Sequence, residues 1–542
     1  MRNLHGPSPL KIAALCIAAL FIAPIAAVFV AAMGNSDGLW AHLFTTVLPG
    51  YVANTLLLMV GVALLSVIFG VSAAWVVFRY DFKGRKMLEW MLLLPAAVPA
   101  YLVAYTYTDL LEYAGPVQGA LRMLFGWQSA RDYWFPEIRS MEGAILVMSA
   151  VLYPYVYIIT RTAFQLTPLS LYEIAMVANR NLFWSVALPL ARPAIVAGVA
   201  PVLMEVISDF GTVEFFAIPT LTLGIFNVWL GMNSLTAAAQ IAVFSFCFVI
   251  ALLLLERLAR SARRYNDTSR RARTLPPIAV SGWARMACYA VCLLPLTIGF
   301  VLPVCVLLNF VLQGYSISFE GAAAHAAIDS LFLASIVALL VMAVALLLGV
   351  ASYYQKDASV RICTPLASIG YAFPGTILAI GVVTVAGAFD HGFASLMRTV
   401  VGYDTGGLLA GTVTMVILAC TVRFQAIGYG AILSGLERLP PNLMHASRSL
   451  GRSFEGSFFE VILPLLTKPA LAGALLVFVD VMKELPMTLL LRPFNFETLA
   501  TYVYQYAKDE LLEEAALPAL LIIVTGFLPV VIMNRALRRL SQ

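Results

Sequence analysis

A chain of 542 residues with 61% hydrophobic and 12% charged residues, and a mean hydropathy of +0.90, lies far from the roughly 25% charged residues of a soluble domain. Apolar stretches of about 18 residues or more recur along it, long enough to cross a roughly 30 Å hydrocarbon core as helix and too long for barrel strands. The reading is an all-α integral membrane protein; the net charge of +5 follows from topology and calls for no nucleic-acid partner.

In chain order, spans are predicted over 10–33, 52–78, 88–111, 142–164, 193–209 and 235–256, then over 284–312, 328–354, 365–388, 407–433, 469–485 and 515–534. That makes twelve transmembrane helices in two homologous six-helix halves. The first span, with an apolar run of about 22 residues after Lys11, is too long for a signal-peptide core and is read as a retained anchor. Lys and Arg crowd one alternate set of loops, whereas the opposite set holds only Arg122, Arg131, Arg139, Arg398, Arg492 and Lys508. Positive charge favours the cytoplasmic side, so both termini are expected there. The cysteines fall in or beside apolar spans without CxxC spacing, and the histidines form no HExxH cluster. No metal site is assigned.

The first half is expected over 1–257, a basic cytoplasmic linker over 258–282, and the second half over 283–542. Features recur at an offset of 275 residues: Asn54-Thr55-Leu56 with Asp329-Ser330-Leu331, Pro99 with Pro374, Leu188-Pro189 with Leu463-Pro464, Asp209 with Glu484, Trp229 with Tyr504. Repeats of even span number share one orientation and are related by an axis along the membrane normal, with a pathway between them.

After the fourth span of each half comes a polar helical loop, about 168–192 and about 440–468. The second runs from Pro441 through His445-Ala446-Ser447 to Gly451, then nine residues to Val461-Ile462-Leu463-Pro464. This resembles the EAA loop of ABC-importer permeases, with His445 in place of Glu and Ser447 in place of the second Ala. In the first loop Glu173-Ile174-Ala175 and Leu188-Pro189 keep the pattern, but the interval is three residues shorter and Asn179 stands where Gly is expected. The resemblance implies ATPase-coupling loops at Glu173, Ala175, Leu188, Pro189, His445, Ala446, Gly451, Leu463 and Pro464. A glycine there permits a sharp turn, and the proline fixes the angle of re-entry. The chain has no GxxxxGK[ST] loop, so ATP and Mg belong to a partner. The chain is read as a transport subunit rather than an enzyme, binding no cofactor. Its implied partners are two copies of an ABC ATPase, a periplasmic substrate-binding protein and membrane lipid, and its implied location is the bacterial inner membrane.

Met204–Phe216 and Asp480–Phe496, with Tyr80-Asp81-Phe82, resemble fused ferric-iron permeases over essentially the whole chain. Permeases for 2-aminoethylphosphonate and thiamine are similar, so these or another small organic solute are the alternative cargo. Delivered ferric iron would cross by alternating access driven by the separate ATPase. Glu205, Asp209, Asp480, Lys483 and Glu484 lie within or at the outer ends of apolar spans, where charge is costly and normally faces a cavity or partner. Glu205 and Asp209, like Asp480 and Glu484, are spaced to share a helix face and to line a substrate pathway. The competing readings are that Lys483 pairs with one of the acids, or that the acids stabilise helix ends or meet the binding protein. Tyr101, Tyr105 and Tyr107, with Tyr153, Tyr155 and Tyr157, invite an iron-phenolate idea; an interfacial tyrosine belt is preferred. Arg423 is expected to snorkel or to pair. Twelve spans also suit a secondary transporter, which would lack the long helical loops.

Overall fold

The computed structural model describes residues 8–261, 275–314, 321–355, 357–402, 407–440 and 442–527. Among these, nine helices are long and apolar enough to cross a membrane. They cover nine of the twelve predicted spans. The sixth prediction corresponds to the Leu235–Ser261 helix, apolar over Leu235–Ala251. The twelfth corresponds to Ala516–Phe527, its remainder lying outside the described residues. Most of the predicted linker, Pro441 of the second loop and both chain ends also lie outside them.

The third predicted span, 88–111, is not one helix. Arg85–Ala97 and Ala100–Phe125 meet at 91°. Pro99 caps the second piece with ψ 140, and Val98 before it is extended at ψ 124, because a proline pushes the preceding residue out of the helical region and donates no hydrogen bond. The second half repeats the device. Ala358–Leu366 ends, a turn covers Gly370–Ala372, and Pro374 at ψ 139 starts Gly375–Val400. The predicted span 365–388 is therefore also broken, and its membrane helix begins later.

The fifth and eleventh spans begin earlier than predicted, as Phe183–Ser208 and Phe454–Met482. Each enters through a π-helical turn, Phe183–Ala187 or Phe458–Ile462, and Leu188-Pro189 and Leu463-Pro464 follow at once. The widened turn accepts a proline that cannot donate to the preceding turn. Leu-Pro thus lies inside a continuous helix rather than at its entrance.

The chain divides into two compact units, one of residues 1–41, 225–244 and 319–502, the other of 42–224, 245–318 and 503–542. In the first, Ala322–Tyr354, Val413–Glu437 and Leu463–Met482 share a core that includes Ile432, Leu436, Ile462 and Leu466. The Pro9–Ala32 span joins this unit: a Cβ on Gly381 would lie 2.0 Å from the Pro24 carbonyl oxygen, and Lys11 Nζ meets Asp357 Oδ2 at 2.5 Å. In the second unit, Leu48–Arg79, Met141–Leu166 and Leu188–Ser208 pack through small residues. A Cβ on Gly70 would lie 2.8 Å from Val156 Cβ, and one on Gly198 would lie 3.0 Å from Val156 Cα. Close backbone approach of this kind replaces the hydrophobic drive that lipid cannot supply. The Gly282–Leu312 helix packs here, Gly299 fitting against the Ala150 carbonyl. The opening helix of each sequence repeat therefore sits in the compact unit built mainly from the other repeat.

Tyr80-Asp81-Phe82 has a structural task. Tyr80 and Asp81 pair in parallel with Ile278 and Ala279, Arg79 Nη1 donates to the Pro276 carbonyl at 3.0 Å, and Phe82 stands edge-on to Tyr289 at 5.4 Å. The end of the linker is thereby strapped beneath the first repeat's second span.

Candidate coupling loops and embedded carboxylates

Both loops have the same local architecture. In the first, the Leu169–Val177 helix ends at Asn179 with φ 49, and Arg180 N donates to the Ala175 carbonyl at 2.9 Å. In the second, Leu443–Ser449 ends at Gly451 with φ 91, and Arg452 N donates to the Ser447 carbonyl at 3.4 Å. These are matching helix terminations through a left-handed residue, a conformation open to Gly and, among other residues, best tolerated by Asn. Asn179 thus does the work of the missing glycine. The missing residues are located just after this turn. Asn181 Oδ1 accepts directly from Phe183 N at 3.0 Å and so caps the π turn, whereas the second loop inserts a further helical turn, Phe454–Ser457, capped by Ser453.

Each loop is anchored on one side and open on the other. Tyr172 is fully buried, its ring 6.0 Å from that of Phe78, and Trp75 packs on Phe164 and Phe183 at 5.6 and 5.2 Å. In the second loop Met444 is buried in the Ile462–Leu466 core, Ser447 and Ser457 hydroxyls bond at 2.9 Å, and Arg452 pairs with Glu460. Outward, Glu173, His445, Ala446 and Gly451 are exposed, as is Pro464, while Ala175 is buried and Leu188, Pro189 and Leu463 are half-buried. Beside them Ile174, Val177 and Trp184, and Leu450 and Phe459 in the second loop, are exposed apolar residues, Val177 at 90% and Leu450 at 84%. Apolar side chains grouped on a polar loop mark a contact surface. The Glu-x-Ala pattern pointed to these loops but not to these residues.

The carboxylates occupy matched positions as well. Asp209 accepts from Thr212 N at 3.0 Å, Val213 N at 3.1 Å and the Thr212 hydroxyl at 3.0 Å. Glu484 accepts from Met487 N at 2.9 Å, Thr488 N at 3.0 Å and the Thr488 hydroxyl at 2.8 Å. Both acids lie just past their spans, which end at Ser208 and Met482. They cap the following short helices instead of continuing one face with Glu205 and Asp480. An acid at a helix N-terminus meets unpaired N–H groups and the positive end of the dipole. Lys483 Nζ lies 2.9 Å from Asp480 Oδ1; Glu205 is half-buried.

The second half adds a cation. Arg423 Nη1 reaches Glu484 Oε1 at 3.3 Å, with side chains only 10% and 2% exposed, so of the two expectations for Arg423 pairing holds. A second embedded pair, Arg161 with Glu89, joins two helices of the other unit. Asn54-Thr55 and Asp329-Ser330 tie down the segment beyond each cap: the Thr55 hydroxyl accepts from Leu221 N at 3.0 Å, and the Ser330 hydroxyl from Leu499 N at 2.7 Å. These contacts set Leu221 opposite Leu499. The second half has therefore gained three residues here, and Trp229 does not correspond to Tyr504.

The model for binding-protein-dependent transport system inner membrane components matches residues 66–267 and again 342–542. The chain belongs to this family. It is the membrane-spanning, non-enzymatic permease of an ABC importer, a multi-pass inner-membrane protein that works with an ATPase and a binding protein. Membership sets aside the secondary-transporter alternative. Among curated relatives, the Fe(3+)-transport system permease protein FbpB 2 of Haemophilus influenzae is 23% identical over 91% of each chain. The molybdenum transport system permease protein ModB of Escherichia coli is 26% identical over 37% of this permease and 88% of its own length. A protein described as a 2-aminoethylphosphonate transport system permease, PhnU of Salmonella paratyphi A, is 25% identical over 48% and 93%.

Proposed function

We propose that this permease carries ferric iron, handed to it by a periplasmic binding protein, across the inner membrane by alternating access. The supporting observation is that the Fe(3+) relative matches over 91% of both chains, both repeats included, whereas the molybdenum and phosphonate relatives match 37% and 48% of this permease. The excess of acid over base at Glu205, Asp209, Asp480 and Glu484 favours a cation over an oxyanion.

In this proposal two copies of the ATPase, using ATP and Mg, each receive one coupling loop. Both termini and the 258–282 linker face the cytoplasm, and the embedded acids border the route of the cargo. No bond in the cargo is made or broken. Uptake by proteoliposomes holding the permease with its ATPase and binding protein tests it, comparing labelled ferric ion with molybdate, 2-aminoethylphosphonate and thiamine. ATP-dependent ferric uptake is expected; uptake of another solute in its place overturns the cargo and leaves the importer.

A further inference from the structure

We infer that Arg161 and Glu89 link the first coupling loop to the broken span, as positioning residues through which movement of the loop reaches the bend at Pro99. The inference rests on the coupling reading above and on no particular cargo.

The Met141–Leu166 helix runs straight into the loop: it is capped at Thr167, and the loop helix begins at Leu169. Pro154 lies inside it and donates nothing to the Ala150 carbonyl one turn earlier, so the loop-side half hangs on a weakened ladder. In that half Tyr157 and Arg161 stand one turn apart on one face, and both grip the same residue. The Tyr157 hydroxyl donates to the Glu89 carbonyl at 3.0 Å, and Arg161 Nη2 pairs with Glu89 Oε1. Tyr157 is therefore no member of an interfacial belt; like Tyr101, Tyr105, Tyr107 and Tyr153 it is buried. Glu89 lies near the end of the short helix Arg85–Met91, from which the chain passes into the 91° break. The other end of that helix is held, because Arg85 Nε donates to the Val77 carbonyl at 2.8 Å. A helix fixed at Arg85 and gripped at Glu89 swings when Arg161 moves, and its free end leads into the break.

The loop meets Leu48–Arg79 through rings, Tyr172 on Phe78 at 6.0 Å and Phe183 on Trp75 at 5.2 Å. Such contacts slide. The Arg161–Glu89 pair is directional, and with side chains 10% and 25% exposed it cannot be parted as cheaply as a surface pair. The fold does not require it. In the second half the corresponding short helix, Ala358–Leu366, has no acidic residue, and the single basic residue of Val413–Glu437, Arg423, meets Glu484 instead. A buried ion pair stabilises little beyond what apolar residues of similar volume would, and its better-attested use is to fix the register of two elements. All these residues of the first repeat belong to one compact unit.

The test reads cargo uptake, binding-protein-stimulated ATP hydrolysis and melting temperature in the reconstituted importer. The cargo is labelled ferric ion, or the solute that takes its place in the uptake comparison above. Glu89→Met combined with Arg161→Met strands no charge and should melt no lower than the unaltered permease. ATP hydrolysis should persist while uptake falls, so that the ATP spent per cargo carried rises several-fold. Arg161→Lys keeps the charge and should retain most of the coupling. An unchanged ratio of ATP to cargo in the double variant overturns the link and leaves a merely structural pair. Val177→Asp, on the exposed side of the same loop, checks the reading beneath: the ATPase should be lost from the purified complex. If Val177→Asp keeps both ATPase and uptake, the coupling reading of this loop falls and the link with it; if it loses the ATPase while the double variant stays fully coupled, the link alone falls.

Discussion

Replacing Gly451 by Ala places a Cβ in open space, with no atom within 4 Å, so sterics against neighbours contribute nothing. The whole penalty is the backbone: φ is 91, and an L-residue held in the left-handed region costs roughly 1–2 kcal/mol. That is a factor of about 5–30 in the balance between the turned and unturned loop, confined to an exposed segment while the Ile462–Leu466 core remains intact. Gly451→Ala should therefore insert and melt like the unaltered permease, yet couple poorly, with cargo-stimulated ATP hydrolysis and transport both falling several-fold in the reconstituted importer. Gly451→Asn should retain most of both, because Asn179 already holds the equivalent turn at φ 49. Full coupling in Gly451→Ala, or equal damage in the two variants, would refute the reasoning.

Arg423→Met strands Glu484 as a buried charge and should lower stability by about 3–5 kcal/mol; adding Glu484→Gln should restore most of the loss, read as melting temperature in detergent. Asp209→Asn keeps a side-chain acceptor for the cap and should cost at most about 1–2 kcal/mol, while cargo uptake in the reconstituted importer falls several-fold; normal uptake would confine Asp209 to capping. The hydrogen bond from Lys11, then those from Ser359, hold the Asp357 carboxyl at about 2, below its ordinary 3.8. A depressed carboxyl stabilises above its unfolded value and loses that contribution as pH falls from about 4 through 2, so the acid-side decline in melting temperature should be smaller in Asp357→Asn.

Asn179 shows how a local pattern was legible while its meaning was not. In the motif it is a mismatch, standing where Gly is expected; as a residue at φ 49 it performs the same turn. The three-residue gap was visible in the sequence, but only the structure places it in the missing Phe454–Ser457 turn. Arg423 likewise stood out as an embedded charge, whereas its partner, 61 residues away, could not be read from spacing.

The sequence by itself determined the class, the rough positions of nine membrane helices and the repeat, because hydrophobic length, charge bias and turn residues are local quantities set by solvent and backbone. It also marked Pro99 and Pro374, though not the 91° bend at the first. Only tertiary structure decided which helices share a unit, that the second acid of each pair caps the next helix, and that Arg423 meets Glu484. Those depend on helix packing and on where unpaired N–H groups and hydroxyls end up, distances that sequence separation does not encode.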